Sequence, residues 1–295
     1  MRKNPTPVVL AIALGMGLVG CARTAIAAPL ETSNPIFGQS PKTLPGEVRK
    51  YSWPRRDLRV SIGTTRIQPA LALGSWAAFH GSGAQAMAMG DLSLLEAEVN
   101  PVIRELQAGG FEILAVHNHL LGETPRVLYV HFMGRGDEAS LGRALAGALE
   151  KTGTPRESAA PPTPSAEETK AFDAFQAALG RKGSMAGTVL QVGVPRAGAI
   201  TDGGMEIPPS MGMAESINAE VSDGRIAATG DFILLADEVN PVAHELEANG
   251  IDVTALHSHM LRESPRLFFM HFWAVGAPDK VGDGLKAALS KIATK

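Results

Sequence analysis

Apolar and polar positions along this chain fall into two matching series about 140 residues apart. Each series opens with short β-rich runs, at residues 47–53, 75–80 and 85–94 and again at 188–194, 216–221 and 225–234, which predict strands. Ser222, Asp223 and Gly224 join the last pair of the second series, a hairpin signal because Asp-Gly supplies the positive φ that such turns need. The period then lengthens. Val99, Val102, Ile103 and Leu106 recur at helical spacing, matched by Val239, Val242, Ala243 and Leu246, and the pattern stops at Gly109-Gly110 and Asn249-Gly250. Asn100-Pro101 and Asn240-Pro241 fit an N-cap followed by proline at the first helical position, so these helices are expected to begin there.

Two further strands, 111–121 and 126–133, precede a second helix carrying Leu141, Ala144, Leu145, Ala148 and Leu149, or in the second series Val281, Leu285, Ala288, Leu289 and Ile292. The fold class is therefore α+β: two tandem β-β-β-α-β-β-α repeats, each an antiparallel sheet with helices packed on one face. Residues 90–132 are identical to 230–272 at 22 of 43 positions with no insertion. Prolines 155, 161, 162 and 164 mark a semi-stiff linker, and Ser165 with Glu168 forms a capping box that opens a helix presenting Phe172, Phe175 and Leu179. The chain divides into a signal peptide (1–20), a tether (21–36), repeat domain 1 (37–152), a Pro-rich linker with a helix start (153–170) and repeat domain 2 (171–295).

Repetition inside one chain singles out the residues that both copies retain. Six of the eight histidines form two matching sets, His117, His119, His131 and His257, His259, His271. Strand alternation puts His117 and His119 on one face, and a hairpin closing about Thr124 sets His117 opposite His131 with Cβ atoms roughly 5 Å apart. Neutral imidazoles are the usual nitrogen ligands of Zn, Cu and Ni, so each triple can form a compact metal set. Glu123 and Glu263 are candidate additional ligands or bases, and Arg126 and Arg266, beside Pro125 and Pro265, are candidate anion contacts or partners of those glutamates.

Three functions fit these residues: binding of a divalent metal or small ligand, a structural or interaction role with hydrogen-bonded histidines, and metal-dependent hydrolysis with Glu123 or Glu263 as base. The expected cofactor is a divalent transition metal, Zn, Cu or Ni, because the surroundings look poor in carboxylates.

Composition narrows the picture only a little. At 295 residues, 45% hydrophobic and 19% charged, the chain can bury a core in each half, and a net charge of −3 with a pI near 6.3 excludes the basic footprint of a nucleic-acid binder. Arg2 and Lys3 precede an apolar run at residues 8–19, too short to span a membrane, which ends in Leu18-Val19-Gly20-Cys21. That tetrapeptide is similar to a lipoprotein signal, so Cys21, the one cysteine, is expected to be lipidated and to anchor an exported protein to the membrane in the bacterial cell envelope. Cleavage after the Ala25-Ile26-Ala27 run is the alternative. A small ligand or an envelope protein is the other expected partner.

The blocks GDFILLADEVNPV, VTALHSHML and ESPRLFFMHFWA, with their first-copy equivalents, resemble the LppY/LpqO family of bacterial envelope lipoproteins over nearly the whole chain past the signal. The resemblance implies duplication and an envelope location, and no activity.

Overall fold

The computed structural model describes Met1, residues 36–155 and residues 160–295. The expected signal peptide, Cys21 and all but the last residue of the tether lie outside the described residues.

The first repeat builds one six-stranded sheet from Lys42–Leu44 (β1), Val48–Pro54 (β2), Gly74–His80 (β3), Ala86–Leu95 (β4), Glu112–His117 (β5) and Val127–Gly136 (β6), in the order β1-β2-β3-β4-β6-β5. The second repeat builds the same sheet from Ser184–Ala186 (β7), Val189–Pro195 (β8), Ala214–Ser222 (β9), Arg225–Leu234 (β10), Asp252–His257 (β11) and Phe268–Gly276 (β12), in the order β7-β8-β9-β10-β12-β11. Neighbouring strands in both sheets are antiparallel. The two tandem copies and the α+β class are as the periodicity predicts, with one short edge strand added to each sheet.

Helices cover one face of each sheet. Glu96–Ala108 (α1) and Glu138–Leu149 (α2) pack Val102, Leu106, Leu141 and Leu145 against Leu92, Leu94, Val130 and Phe132. Ala166–Leu179 (α3), Ala236–Ala248 (α4) and Pro278–Leu289 (α5) do the same in the second repeat, where Phe172, Phe175 and Leu179 of α3 enter the core behind the expected Ser165 capping box.

The starts of α1 and α4 differ from expectation. Both begin five residues earlier, and Pro101 and Pro241 lie inside the helices. The carboxylate of Glu98 accepts the Leu95 N–H at 2.8 Å, and that of Glu238 accepts the Leu235 N–H at 2.7 Å. These glutamates take the place of an Asn cap, satisfying a donor that the helix itself cannot. They also hold the buried arginines Arg55 and Arg196, each at 2.7 Å, tying the end of β2 or β8 to a helix start.

The other face of each sheet is buried against the opposite repeat, so the layers run helix, sheet, sheet, helix. Two apolar clusters form this junction. Met87, Met89 and Met133 of the first sheet meet Ile200, Ile207, Met211 and Met213 from the segment after β8. In the mirror arrangement, Ala227 and Trp273 of the second sheet meet Val60, Ile67, Leu71 and Leu73 from the segment after β2. Burial on both faces explains why β4 is buried along nearly all its length and reads as a continuous apolar run. Polar ties cross the same junction, including Arg135 to Asp202 at 2.6 Å and Arg262 bidentate to Glu112 at 2.8 and 2.9 Å.

Candidate metal centre

Between the two apolar clusters the six matched histidines meet in a single group. A bulge between Ile113 and Ala115 shifts the register of β5 on β6, so Ala115 pairs with His131 and His117 with Tyr129. The expected pairing of His117 with His131 is therefore displaced by two residues, and an even shift keeps both rings on one face. The strand also stops at His117, so His119 stands on the connection to β6. Asn118 secures that connection by donating to Leu120 O at 2.9 Å and, across the junction, to Thr254 O at 3.1 Å.

The distances between rings bring the two triples into one group. His117 lies 3.6 Å from His257, His131 3.7 Å from His259 and His119 4.0 Å from His271, centroid to centroid. Within the first triple, His117 is 4.9 Å from His131. The closest ring contacts thus run between repeats. Tyr129 stacks on His119 at 3.4 Å and Phe269 on His259 at 3.6 Å, closing the group on two sides. One ligand-type atom from each of His117, His257, His259 and His271 lies within 4.8 Å of the others, and the same holds for His117, His119 and His131.

Two carboxylates that the sequence reading overlooked flank the group, outside both sets of ligand-type atoms. Asp91 pairs across the ladder with His131, and Asp231 with His271. Asp91 Oδ2 lies 3.5 Å from His119 Nε2 and 3.7 Å from His131 Nε2, and Asp231 Oδ2 lies 3.6 Å from His259 Nε2. These separations exceed hydrogen-bond length. The expectation of carboxylate-poor surroundings is corrected accordingly. Gly90-Asp91 and Gly230-Asp231 are identical in the two copies, and an aspartate inside an otherwise apolar strand was the available signal.

Backbone carbonyls fix the ring tautomers. His117 Nδ1 lies 3.0 Å from Asn118 O, His257 Nδ1 3.3 Å from Ser258 O and His271 Nδ1 2.9 Å from Gly230 O. A carbonyl only accepts, so in the neutral ring Nδ1 carries the proton and the Nε2 lone pair turns inward. His257 Nε2 and His271 Nε2 face each other at 3.0 Å, a hydrogen bond when either ring carries its proton on Nε2. Nε2 of His117, His119, His131 and His259, with one oxygen each of Asp91 and Asp231, is buried without a hydrogen-bond partner among the described residues.

Burial drives the ionisation of the whole group toward neutrality. Desolvation pulls His117 down to about 3 and His257 to about 4, and holds His119, His131, His259 and His271 well below the ordinary imidazole value. The same desolvation pushes Asp91 up to about 8 and Asp231 well above the usual carboxylate range. The histidines are thus free bases at neutral pH, and no imidazolium pairs with the aspartates.

Glu123 and Glu263 stand outside both groups of ligand-type atoms. Each accepts a backbone N–H four residues on, Val127 at 3.4 Å and Leu267 at 3.1 Å, bracing the turns that contain the cis bonds Thr124–Pro125 and Ser264–Pro265. Arg266 pairs with Glu263 at 3.2 Å, while Arg126 is exposed. The matched Glu and Pro, with Arg266 in the second repeat, therefore build the turns in front of β6 and β12.

Geometry of this kind defines a duplicated α+β protein with a histidine-rich centre at the junction of its copies. The chain belongs to the family of a domain of unknown function, DUF1259, whose model matches residues 31–151 and 173–291, one copy in each repeat. This finding overturns the LppY/LpqO resemblance, and with it the lipoprotein and signal-peptide reading of the segment ending in Cys21. No curated protein matches the chain. Two solved structures show a faint likeness, a trimeric bacterial microcompartment shell protein, PduB, and EtuB from Clostridium kluyveri. Each is 11% identical over 85% of this chain and 90% of the other, with a TM-score of 0.21, too low to carry an argument.

Proposed function

We propose that this protein binds a divalent transition metal through the pooled histidines of its two repeats, with Asp91 and Asp231 in the same centre. The observation that carries the reading is the orientation of the rings: three Nδ1 atoms sit on backbone carbonyls, and the Nε2 atoms of His117, His119, His131 and His259 are buried without a hydrogen-bond partner among the described residues. Metal-bound histidines are oriented in this way, the outer nitrogen donating to a carbonyl while the inner one ligates. Purely structural histidines would have their inner nitrogens hydrogen-bonded, since a buried unpaired acceptor costs about 1–3 kcal/mol.

Imidazole nitrogens with a minority of carboxylate oxygens favour Zn, Ni or Cu over Ca or Mg. A hydrolytic role finds less support, because the two glutamates considered as bases are engaged by backbone N–H groups of their own turns. Elemental analysis tests the proposal. Protein purified without added metal should carry at least one equivalent of a transition metal per chain, and a His257→Ala/His259→Ala double variant that keeps its circular dichroism spectrum should lose most of it. Wild-type protein that neither carries such a metal nor takes up Zn(II) after exposure would overturn the reading.

A further inference from the structure

The donor inventory exceeds what one ion can take. Six imidazoles and two carboxylates converge, whereas Zn-type ions in proteins hold about four such donors at about 2.0–2.1 Å. Two donors on one ion therefore lie no more than about 4.2 Å apart, and about 3.3 Å apart at a tetrahedral angle. The six nitrogens do not satisfy this together. Even at a 4.8 Å limit they divide into His117, His119, His131 and a set built on His257, His259, His271, with His117 near both.

Each division has its own carboxylate at co-ligand spacing. Asp91 Oδ2 is 3.5 and 3.7 Å from the Nε2 atoms of His119 and His131, and Asp231 Oδ2 is 3.6 Å from Nε2 of His259. These values are too long for hydrogen bonds and close to the tetrahedral spacing between two ligands of one ion. His257 Nε2 and His271 Nε2 approach to 3.0 Å, within the spacing that two ligands of one ion can take. An ion in one half alone would leave the other half's aspartate and histidines buried and unpartnered. The repeats make the two halves equivalent in residue type, so what holds an ion in one is present in the other.

Resting on the metal-binding reading, we infer that the centre is dinuclear: one ion is held by Asp91, His117, His119 and His131, and a second by Asp231, His257, His259 and His271. Each set supplies three nitrogens and one oxygen. Four protein donors close a tetrahedral shell, the arrangement of ions that are stored or that brace a fold, whereas catalytic zinc keeps one position for water. The class of ligand is a pair of borderline divalent ions, Zn(II) foremost.

Native mass spectrometry of the full chain, stripped with a chelator and titrated with Zn(II), reads the stoichiometry directly. Two ions per chain are expected, and Co(II) in place of Zn(II) should give visible absorption that rises to two equivalents. One ion per chain at saturation would overturn the dinuclear inference while leaving the metal-binding reading intact, and no ion would overturn both. Asp91→Asn, close in shape, should retain one tight ion and weaken the other by tenfold or more. If it holds two ions as tightly as the wild type, Asp91 is not a ligand. The wild-type stoichiometry needs no variant to fold.

Discussion

Asp91 and Asp231 illustrate how desolvation raises a carboxylate, opposed at Asp91 by the Lys50 ammonium and reinforced at Asp231 by Glu215 and Asp91. Glu215, close enough to Asp231 to raise it, shows the same physics. Its side chain is buried, accepts the Ile233 N–H at 2.6 Å, and is pushed up to about 8 from an ordinary 4.5, chiefly by desolvation. Above pH 4.5 the unfolded chain releases this proton while the folded chain retains it up to about 8. The unfolded state then binds fewer protons, so Glu215's contribution to stability, full below 4.5, is lost as pH rises through the window and levels off above it. Glu215→Gln keeps the acceptor and removes the titration. Its unfolding free energy should gain on the wild type by a few kcal/mol between pH 5 and about 8.5, read by urea denaturation. A gap between the two proteins that does not change with pH would refute the assignment.

At the scale of elements, the strands that carry the aspartates depend on close packing at the preceding glycine. A Cβ on Gly230 would stand 1.9 Å from Ser216 O and 2.9 Å from Phe272 Cζ, and one on Gly90 would stand 2.2 Å from Trp76 O and 2.7 Å from Phe132 Cζ. The nearest atom in each case is a carbonyl of the neighbouring strand, which cannot yield without breaking the ladder. Gly230→Ala should therefore cost more than about 3 kcal/mol, the upper part of the range for overpacking. It should also weaken metal uptake, because Gly230 O orients His271. Gly193→Ala, in a strand with nothing within 4 Å of the added carbon, is the control and should change the urea midpoint little. Equal effects of the two substitutions would show that strand propensity, and not contact, sets the cost.

For the whole molecule, the centre lies where two sheets meet, so both repeats should respond to metal together. Saturation with Zn(II) at about 100 times its dissociation constant adds about 2.7 kcal/mol for each ion bound, so two ions add roughly 9 °C in a chain of this size. Calorimetry of the full chain should show one unfolding transition whose midpoint rises by about that amount, and His131→Ala in the first repeat should reduce the gain for the entire transition. Two separate transitions, only one of them moved by metal, would contradict a shared centre.

Sequence periodicity by itself determined the elements and the duplication. Spacing of apolar residues reports the local geometry of strand and helix, and matched positions in two copies pick out the six histidines without any knowledge of their contacts. It misjudged the starts of α1 and α4, because Asn-Pro suits a cap wherever it occurs, while the Glu98 and Glu238 carboxylates, tied to buried arginines from another strand, decide where the helix begins. It also treated Glu123 and Glu263 as site residues when their matched spacing reflects turn construction. Only the tertiary structure decided that the two triples share one centre and that Asp91 and Asp231 belong to it. A strand's period says which side chains share a face, but what covers that face is set by the packing of a second sheet more than a hundred residues away in the chain.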